Sequence, residues 1–195
     1  MSRTKPYQPS LLRFLHGINA LLVIAALLSG FWVYDTFDQR FGKIPLPRIN
    51  AIIDYHGTIG LTFFLFSPLF LIYSLWLGRK KLIQNNTIAN LTQVGKPIWW
   101  ATLQRCTNTL MIVAIVFAAG TGKLMDETWL PQGQLFHVAY SFHLIAWATM
   151  LICLALHLLM SAKVGGVPLL LSILSFRVRP DDHPKLWIKQ LRDRN

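Results

Sequence analysis

Four long apolar stretches, separated by short polar segments, dominate the pattern of hydrophobic and polar positions along the chain. Each is near the length of about 20 residues with which an apolar helix crosses a bilayer. The third has a polar beginning, from Arg105 to Thr109, and the second contains Pro68, which a membrane helix tolerates as a kink. The pattern predicts an all-α membrane protein with a four-transmembrane-helix bundle. The predicted spans are about 11–34, 49–77, 104–125 and 134–160, within a membrane domain of residues 1–160.

A cytoplasmic tail, residues 161–195, follows the fourth span. It contains the apolar segment GGVPLLLSILSF, residues 165–176, which is too short to cross a bilayer. This segment is expected to be interfacial or re-entrant on the cytoplasmic face. Beyond it the chain is polar, which leaves open whether it lies on the membrane surface, on a partner or in solvent, and Trp187 is a candidate anchor at the headgroups.

The first apolar stretch also has features of a secretory signal, since a basic start precedes an apolar core. However, it runs past about twenty residues and ends in SGFWVYD, without the small residues of a cleavage site. It is therefore expected to be retained as a membrane helix.

Composition supports the membrane assignment, and the charge distribution orients the chain. Apolar residues make up 53% of the sequence and charged residues 14%, against about 25% charged residues in soluble domains. The net charge of +11 is spread over short segments between apolar runs, which argues against nucleic-acid binding. Fifteen of the 19 Lys and Arg residues fall at the N-terminus, in the second loop and in the tail. The positive-inside rule then places both termini in the cytoplasm.

Histidines within the apolar stretches are the candidate chemistry. Given the topology, His16 and His157 lie near the cytoplasmic ends of the first and fourth spans, and His56 and His143 lie near the outer ends of the second and fourth. Four imidazoles thus form two levels with two members each. A buried imidazole is costly in hydrocarbon unless it is paired or bound. A single one could simply hydrogen-bond a neighbouring helix, but two matched levels favour a ligand-binding role.

The two histidines of the fourth span share one helical face. They are fourteen residues apart, which leaves a net turn of about 40° and a rise of about 21 Å. His137 precedes His143 by six residues and points elsewhere, so it is interpreted as an interfacial polar residue. His183 lies in the polar tail and is expected to be solvated.

Two imidazoles at each of two levels fit haem better than a zinc ion. Zinc needs four ligands around one point, whereas a haem iron takes only its axial ligands from the protein. No CxxCH motif is present, so a covalently attached haem is not expected. Arg13, three residues before His16, is a candidate partner for a haem propionate; the alternative is a positive-inside charge that reaches the headgroups.

The four apolar stretches contain RFLHGINALLVIAALLSG, DYHGTIG, the TG of AAGTGK and SFHLIAWATMLICLALH. In these motifs the sequence resembles the bacterial cytochrome b561 and nickel-hydrogenase cytochrome b-subunit family. The resemblance implies a four-helix core with two b-type haems, each held by two histidines at its iron. Carried over by position, His16 and His157 hold the cytoplasmic-side haem, and His56 and His143 hold the outer-side haem. The depth argument gives the same pairs independently.

The expected function is transmembrane electron transfer by two haem b groups. The resemblance implies exchange of electrons with a quinone or with a partner redox protein, in the bacterial inner membrane or in a thylakoid membrane if the source is photosynthetic. The alternatives are a haem-bearing anchor subunit of a dehydrogenase or hydrogenase complex and, less favoured, a proton-coupled transporter with a histidine relay. A relay needs a connected path, which two levels about 21 Å apart do not supply. A homodimer is left open.

Overall fold

The computed structural model describes residues 7–192; the ends of the predicted domain and tail, 1–6 and 193–195, lie outside the described residues. No strand occurs in the described part. The α-helices are α1 (Ser10–Phe37), α2 (Ile52–Gly78), α3 (Thr87–Leu91), α4 (Pro97–Lys123), α5 (Val138–Gly165), α6 (Val167–Ser172) and α7 (Trp187–Arg192). Short 3₁₀ turns span Arg79–Lys81, Pro180–Asp182 and Pro184–Leu186.

Helices α1, α2, α4 and α5 are long and apolar enough to cross a membrane. Many of their large apolar side chains are exposed, including Leu21 at 72%, Ile72 at 68% and Ile152 at 61%. Soluble monomers seldom expose such a continuous apolar surface, so lipid is the expected solvent for it. The predicted all-α membrane protein with four spanning helices is therefore confirmed.

The boundary of the third span differs most from its prediction, since α4 begins at Pro97 rather than at about residue 104. Proline is favoured at the first position of a helix, where no hydrogen bond from its nitrogen is needed. The polar stretch 105–109 also continues the helix, because Thr107 turns into the protein and is buried. A hydropathy pattern counts Thr107 against a span, although this side chain faces the interior of the protein.

The bundle is closed by two well-packed helix pairs. Helix α1 packs along α2, α4 packs along α5, and the contact between α1 and α5 is sparse. A central cluster joins Val23, Phe63, Ala114 and Met150, one from each spanning helix. The α1–α5 seam is tied by the indole N–H of Trp147 on α5, which donates to a backbone carbonyl of α1 at 2.9 Å.

Polar contacts close the outer end of the bundle, which carries the α1–α2 and α4–α5 loops. Asp38 pairs with Arg40 at 2.7 Å and accepts a 2.7 Å hydrogen bond from the Tyr140 hydroxyl. Burial is the largest influence on the Asp38 carboxyl and raises its pKa, but hydrogen bonds from Arg40 and Tyr140 outweigh it and hold the pKa below the ordinary 3.8. This carboxylate therefore ties the first loop to α5.

The inner end of the bundle, which carries the beginning of α1 and the end of α5, is closed by the tail. Asp182 accepts hydrogen bonds from the Tyr7 hydroxyl at 2.6 Å and from the Ser10 amide at 2.5 Å. The Trp187 indole donates to Ser10 Oγ at 2.8 Å and its ring lies 5.6 Å from that of Phe14. The tail thus packs on the chain's own N-terminal segment. The position of Trp187 at the headgroups stays a prediction.

The predicted interfacial segment, residues 165–176, forms α6 and the residues that follow it. Its apolar side chains are exposed, among them Val167 at 55%, Leu174 at 69% and Phe176 at 99%. An apolar surface at the end of a spanning helix suits the membrane interface. The interfacial position itself stays a prediction.

Candidate functional site

The structure brings the four histidines together in the predicted pairs. His16 on α1 faces His157 on α5, with ring centroids 6.3 Å apart and planes inclined by 27°. His56 on α2 faces His143 on α5, with centroids 5.9 Å apart and planes inclined by 77°. We call these the inner pair and the outer pair. Helix α5 contributes one ring to each.

The separation of the rings fits two axial ligands on one iron. A bond between a metal and a histidine nitrogen is about 2 Å long, and the nitrogen lies about 1 Å from the ring centre, so opposed ligands place their centroids about 6 Å apart. Among residues 7–192, no three His, Cys, Asp or Glu side chains converge as a metal site. A haem requires only two side chains at its iron, so the donor set suits haem.

Hydrogen bonds hold both rings of the outer pair by their Nδ1 atoms. Ser29 Oγ donates to the Ala25 carbonyl at 2.7 Å, so its oxygen accepts from His56 Nδ1–H at 2.9 Å. His143 Nδ1–H donates to the Ala118 carbonyl at 3.0 Å. These bonds place the proton on Nδ1 of each ring and leave Nε2 as the free ligand atom, as is usual for metal-binding histidines.

Only one ring of the inner pair has such an anchor. His157 Nδ1 lies 3.0 Å from Asn108 Oδ1 on α4. Within residues 7–192, the His16 ring has no hydrogen-bond partner; it meets Phe70 edge-on, with centroids 5.7 Å apart. The inner pair is therefore fixed by polar contact on the α5 side and by packing on the α1 side.

Glycines make room beside both rings of the outer pair. A Cβ at Gly30 would lie 3.1 Å from His56 Cε1 and 3.1 Å from Trp147 Cδ1, and a Cβ at Gly122 would lie 3.2 Å from His143 Cε1. Ordinary van der Waals contact begins near 3.4 Å, so larger residues would displace these rings. The small residues thus allow the helices to approach the imidazoles closely.

Arg13, the predicted propionate partner, lies at the inner end one turn before His16. It is 6% exposed and donates to the Ser175 and Arg177 carbonyls and, at 3.4 Å, to the Tyr7 hydroxyl. Its Nε has no hydrogen-bond partner in the described structure. A buried guanidinium with one unsatisfied donor and only neutral partners can still bind an anion such as a propionate, by donating to its oxygen. The predicted role therefore remains compatible with its position, although it also holds the tail.

A cavity of about 670 Å³ opens at the outer end, between α1, α5 and the first loop. It is lined mostly by apolar and aromatic side chains, including Phe31 and Trp147, with Arg40, Lys43 and Ser141 as polar groups. Its volume falls within the range of about 300–1,000 Å³ of small-molecule sites. Trp147 lines the cavity and also lies, like the His56 ring, about 3.1 Å from the position of a Cβ at Gly30, so the cavity is near the outer pair.

The remaining histidines lie outside the pairs. His137 is the N-cap of α5, where its Nδ1 accepts from the Ala139 amide at 3.2 Å and its ring contacts Trp129, with centroids 3.7 Å apart. His183 accepts from the Lys185 amide at 3.3 Å. Neither ring approaches the two pairs, in agreement with their interpretation as interfacial and tail residues.

Sequence analysis missed the side chains that hold the imidazoles. Ser29 and Asn108 each lie within a span and face a histidine of another helix. The available signal was their position, because a polar side chain inside a membrane helix usually faces the bundle interior and bonds to a neighbour. Asn108 was counted only as a weakness of the third span.

Comparison with known proteins gives one match. The family model described as prokaryotic cytochrome b561 matches residues 7–175, which is more than half of the chain. No curated protein and no solved structure matches the sequence.

Proposed function

Because the chain belongs to the prokaryotic cytochrome b561 family, we propose that it transfers electrons across its membrane by means of two b-type haems, one at each histidine pair. The family consists of haem b cytochromes, and membrane electron transfer with haem b is the function that membership supports. Haem supplies one-electron chemistry at its iron, while the protein sets its position and environment. The proposal assigns His16 and His157 to an inner haem and His56 and His143 to an outer haem.

The observation that carries this assignment is the arrangement of the two pairs. Each pair has a ring separation near 6 Å, and three of the four rings are hydrogen-bonded through Nδ1, which leaves Nε2 for a metal. With two histidines at each iron, His16 with His157 and His56 with His143, no position would be left for oxygen, so the haems would supply electron transfer and not oxygen chemistry. Hydrogen bonds to neighbouring helices hold three of these four rings in place.

The proposed electron partner is a quinone or a partner redox protein. The cavity beside the outer pair supports the small-molecule alternative, since its aromatic walls suit a flat ring and Lys43 and Ser141 offer donors to carbonyl oxygens. A substitution that fills the cavity, Ala148→Phe, should slow reduction of the protein by a quinol while leaving reduction by dithionite unchanged. Equal quinol rates in both proteins would exclude the cavity as the quinone site.

A haem-bearing anchor subunit remains the second candidate, because it needs the same core. It would copurify with a dehydrogenase or hydrogenase partner and turn over only in that complex. The proton-coupled transporter is less supported, since within residues 7–192 no described hydrogen bond links the inner pair to the outer pair.

The proposed location is the bacterial inner membrane, or a thylakoid membrane in a photosynthetic source, with both termini cytoplasmic. Membership of a prokaryotic membrane cytochrome family and four spanning helices make the chain a multi-pass membrane protein. The charge distribution supports the orientation, because the inner end is also the end that holds the basic tail.

Histidine replacement tests the assignment. The purified protein should show b-type bands in a dithionite-reduced minus oxidised spectrum, with two haems per chain by extraction. His157→Ala should remove one haem and His143→Ala the other, while His137→Ala on the same helix should remove neither. A colourless protein would refute the function, and a single haem lost in common by both pair variants would refute the two-site assignment.

A further inference from the structure

Asn108 makes two hydrogen bonds that together orient its amide. Its Nδ2 donates to the Lys81 carbonyl at 3.1 Å, at the turn that follows α2, and its Oδ1 lies 3.0 Å from His157 Nδ1. A carbonyl oxygen can only accept, so the amide nitrogen must face Lys81 and the amide oxygen must face the imidazole. His157 Nδ1 is then the donor, and its Nε2 is left without a proton.

The outer pair has one hydrogen-bond anchor for each ring, whereas among the described residues the inner pair has one anchor in total, Asn108. The outer pair has a separate anchor on each ring, Ser29 for His56 and the Ala118 carbonyl for His143. Within the described residues, Asn108 is the only hydrogen-bond anchor of the inner pair, because the His16 ring makes no hydrogen bond. Among the described residues, Asn108 on α4 is therefore the one side chain that hydrogen-bonds a ring of the inner pair.

We propose that Asn108 is the positioning residue of the inner haem site, which fixes the His157 tautomer and lowers the reduction potential of that site. The inference rests on the proposed assignment of His16 and His157 as ligands. Hydrogen bonding to the distal N–H of a ligating imidazole raises its basicity, and outer hydrogen bonds of this kind are a principal control on haem potential. A more basic ligand favours ferric over ferrous iron, so the Asn108 oxygen holds the potential down.

The test compares Asn108→Leu with Ser29→Ala in potentiometric titrations of the purified haem-loaded protein. The component lost in His16→Ala identifies the inner site. Asn108→Leu should raise the midpoint potential of the inner site and leave that of the outer site unchanged. Ser29→Ala should raise the midpoint potential of the outer site and leave that of the inner site unchanged. Loss of a hydrogen bond to a metal ligand typically changes metal affinity about 10-fold or more. If the preference for ferric over ferrous iron changes tenfold, the midpoint potential shifts by about 59 mV for one electron. An unmoved inner midpoint in Asn108→Leu would overturn the proposal.

Asn108→Asp covers the case in which the leucine variant loses the inner haem. It retains an acceptor oxygen for His157, so it should keep the haem with a midpoint at or below that of the native protein. If the aspartate variant also loses the haem, or if its midpoint rises, the oxygen is not the determinant and the proposal is wrong.

Failure of the assigned function would be recognised separately. In that case the unaltered protein would show no component that disappears in His16→Ala, whatever the Asn108 variants do.

Discussion

Gly30 is the position where a single added methyl group should act most directly on the outer site. The Cβ of Gly30→Ala would lie 3.1 Å from His56 Cε1 and 3.1 Å from Trp147 Cδ1. Neither ring can give way freely, because His56 is tied to Ser29 at 2.9 Å and the Trp147 indole donates to the Leu27 carbonyl at 2.9 Å. Overpacking of this kind costs about 1–3 kcal/mol.

Alanine stabilises a helix by about 1 kcal/mol relative to glycine, and this effect must be subtracted from the comparison. Gly120→Ala supplies that control, because Gly120 is helical and exposed, and an added Cβ there would meet no neighbouring atom within 4 Å. Relative to the control, Gly30→Ala should therefore lose about 1–3 kcal/mol of the free energy of haem binding at the outer site. At about 1.4 kcal/mol per factor of ten, this corresponds to about 5- to 150-fold weaker haem retention.

The assay is transfer of haem from the purified protein to an excess of a haem-free acceptor, followed by absorbance. His143→Ala identifies the outer component. Gly30→Ala should release that component faster than Gly120→Ala, and both variants should hold the inner haem alike. Equal release of the outer haem from the two variants would show that the His56 ring is not confined as the contacts indicate.

Three further changes test the ends and the seam of the bundle. Arg13→Ala removes buried, charge-assisted hydrogen bonds to the tail, worth about 2 kcal/mol or more, so trypsin should cleave the tail several-fold faster than in the exposed-site control Arg48→Ala; equal rates would contradict the docking. Because the pKa of Asp38 is lowered in the folded protein, its stabilisation is present above about pH 4 and is lost as the pH falls through the lowered value. Asp38→Asn should thus destabilise the protein at pH 7 by about 1 kcal/mol, seen as a lower melting temperature. The difference in melting temperature from the native protein should shrink in acid; a difference that stays constant with pH would refute this. Trp147→Phe removes the hydrogen bond to the Leu27 carbonyl and should cost about 1 kcal/mol in thermal unfolding, whereas an unchanged melting temperature would show that the bond contributes nothing net.

The sequence was sufficient for the features that repeat along a helix. Hydropathy defined the four spans, and the fourteen-residue spacing of His143 and His157 predicted that both face one side of α5. Depth alone then matched them with His56 and His16, and the rings lie 5.9 and 6.3 Å apart in those combinations. These inferences need only helix geometry and a topology, both of which are local or nearly so.

Features that depend on contacts between distant segments could not be obtained in this way. Asn108 reduces the hydropathy of its span, and only the packing of α4 on α5 shows that its amide meets an imidazole 49 residues away. The tail contains no pattern that specifies Ser10 or Arg13 as its partners, since a carboxylate and a pair of carbonyls can be satisfied almost anywhere. The cavity at the outer end likewise arises from the sparse contact of α1 with α5 and from no motif.

The docking of the tail has a consequence for the order of biosynthesis. Arg13 belongs to α1, which is synthesised before the other helices of the bundle, yet its acceptor at Ser175 is 162 residues further along the chain. At about 5–20 residues per second, that acceptor is synthesised roughly 8 to 32 seconds later. The hydrogen bonds of Arg13 therefore form only after all four spanning helices have been made, so the inner end of α1 cannot be completed before α5 exists.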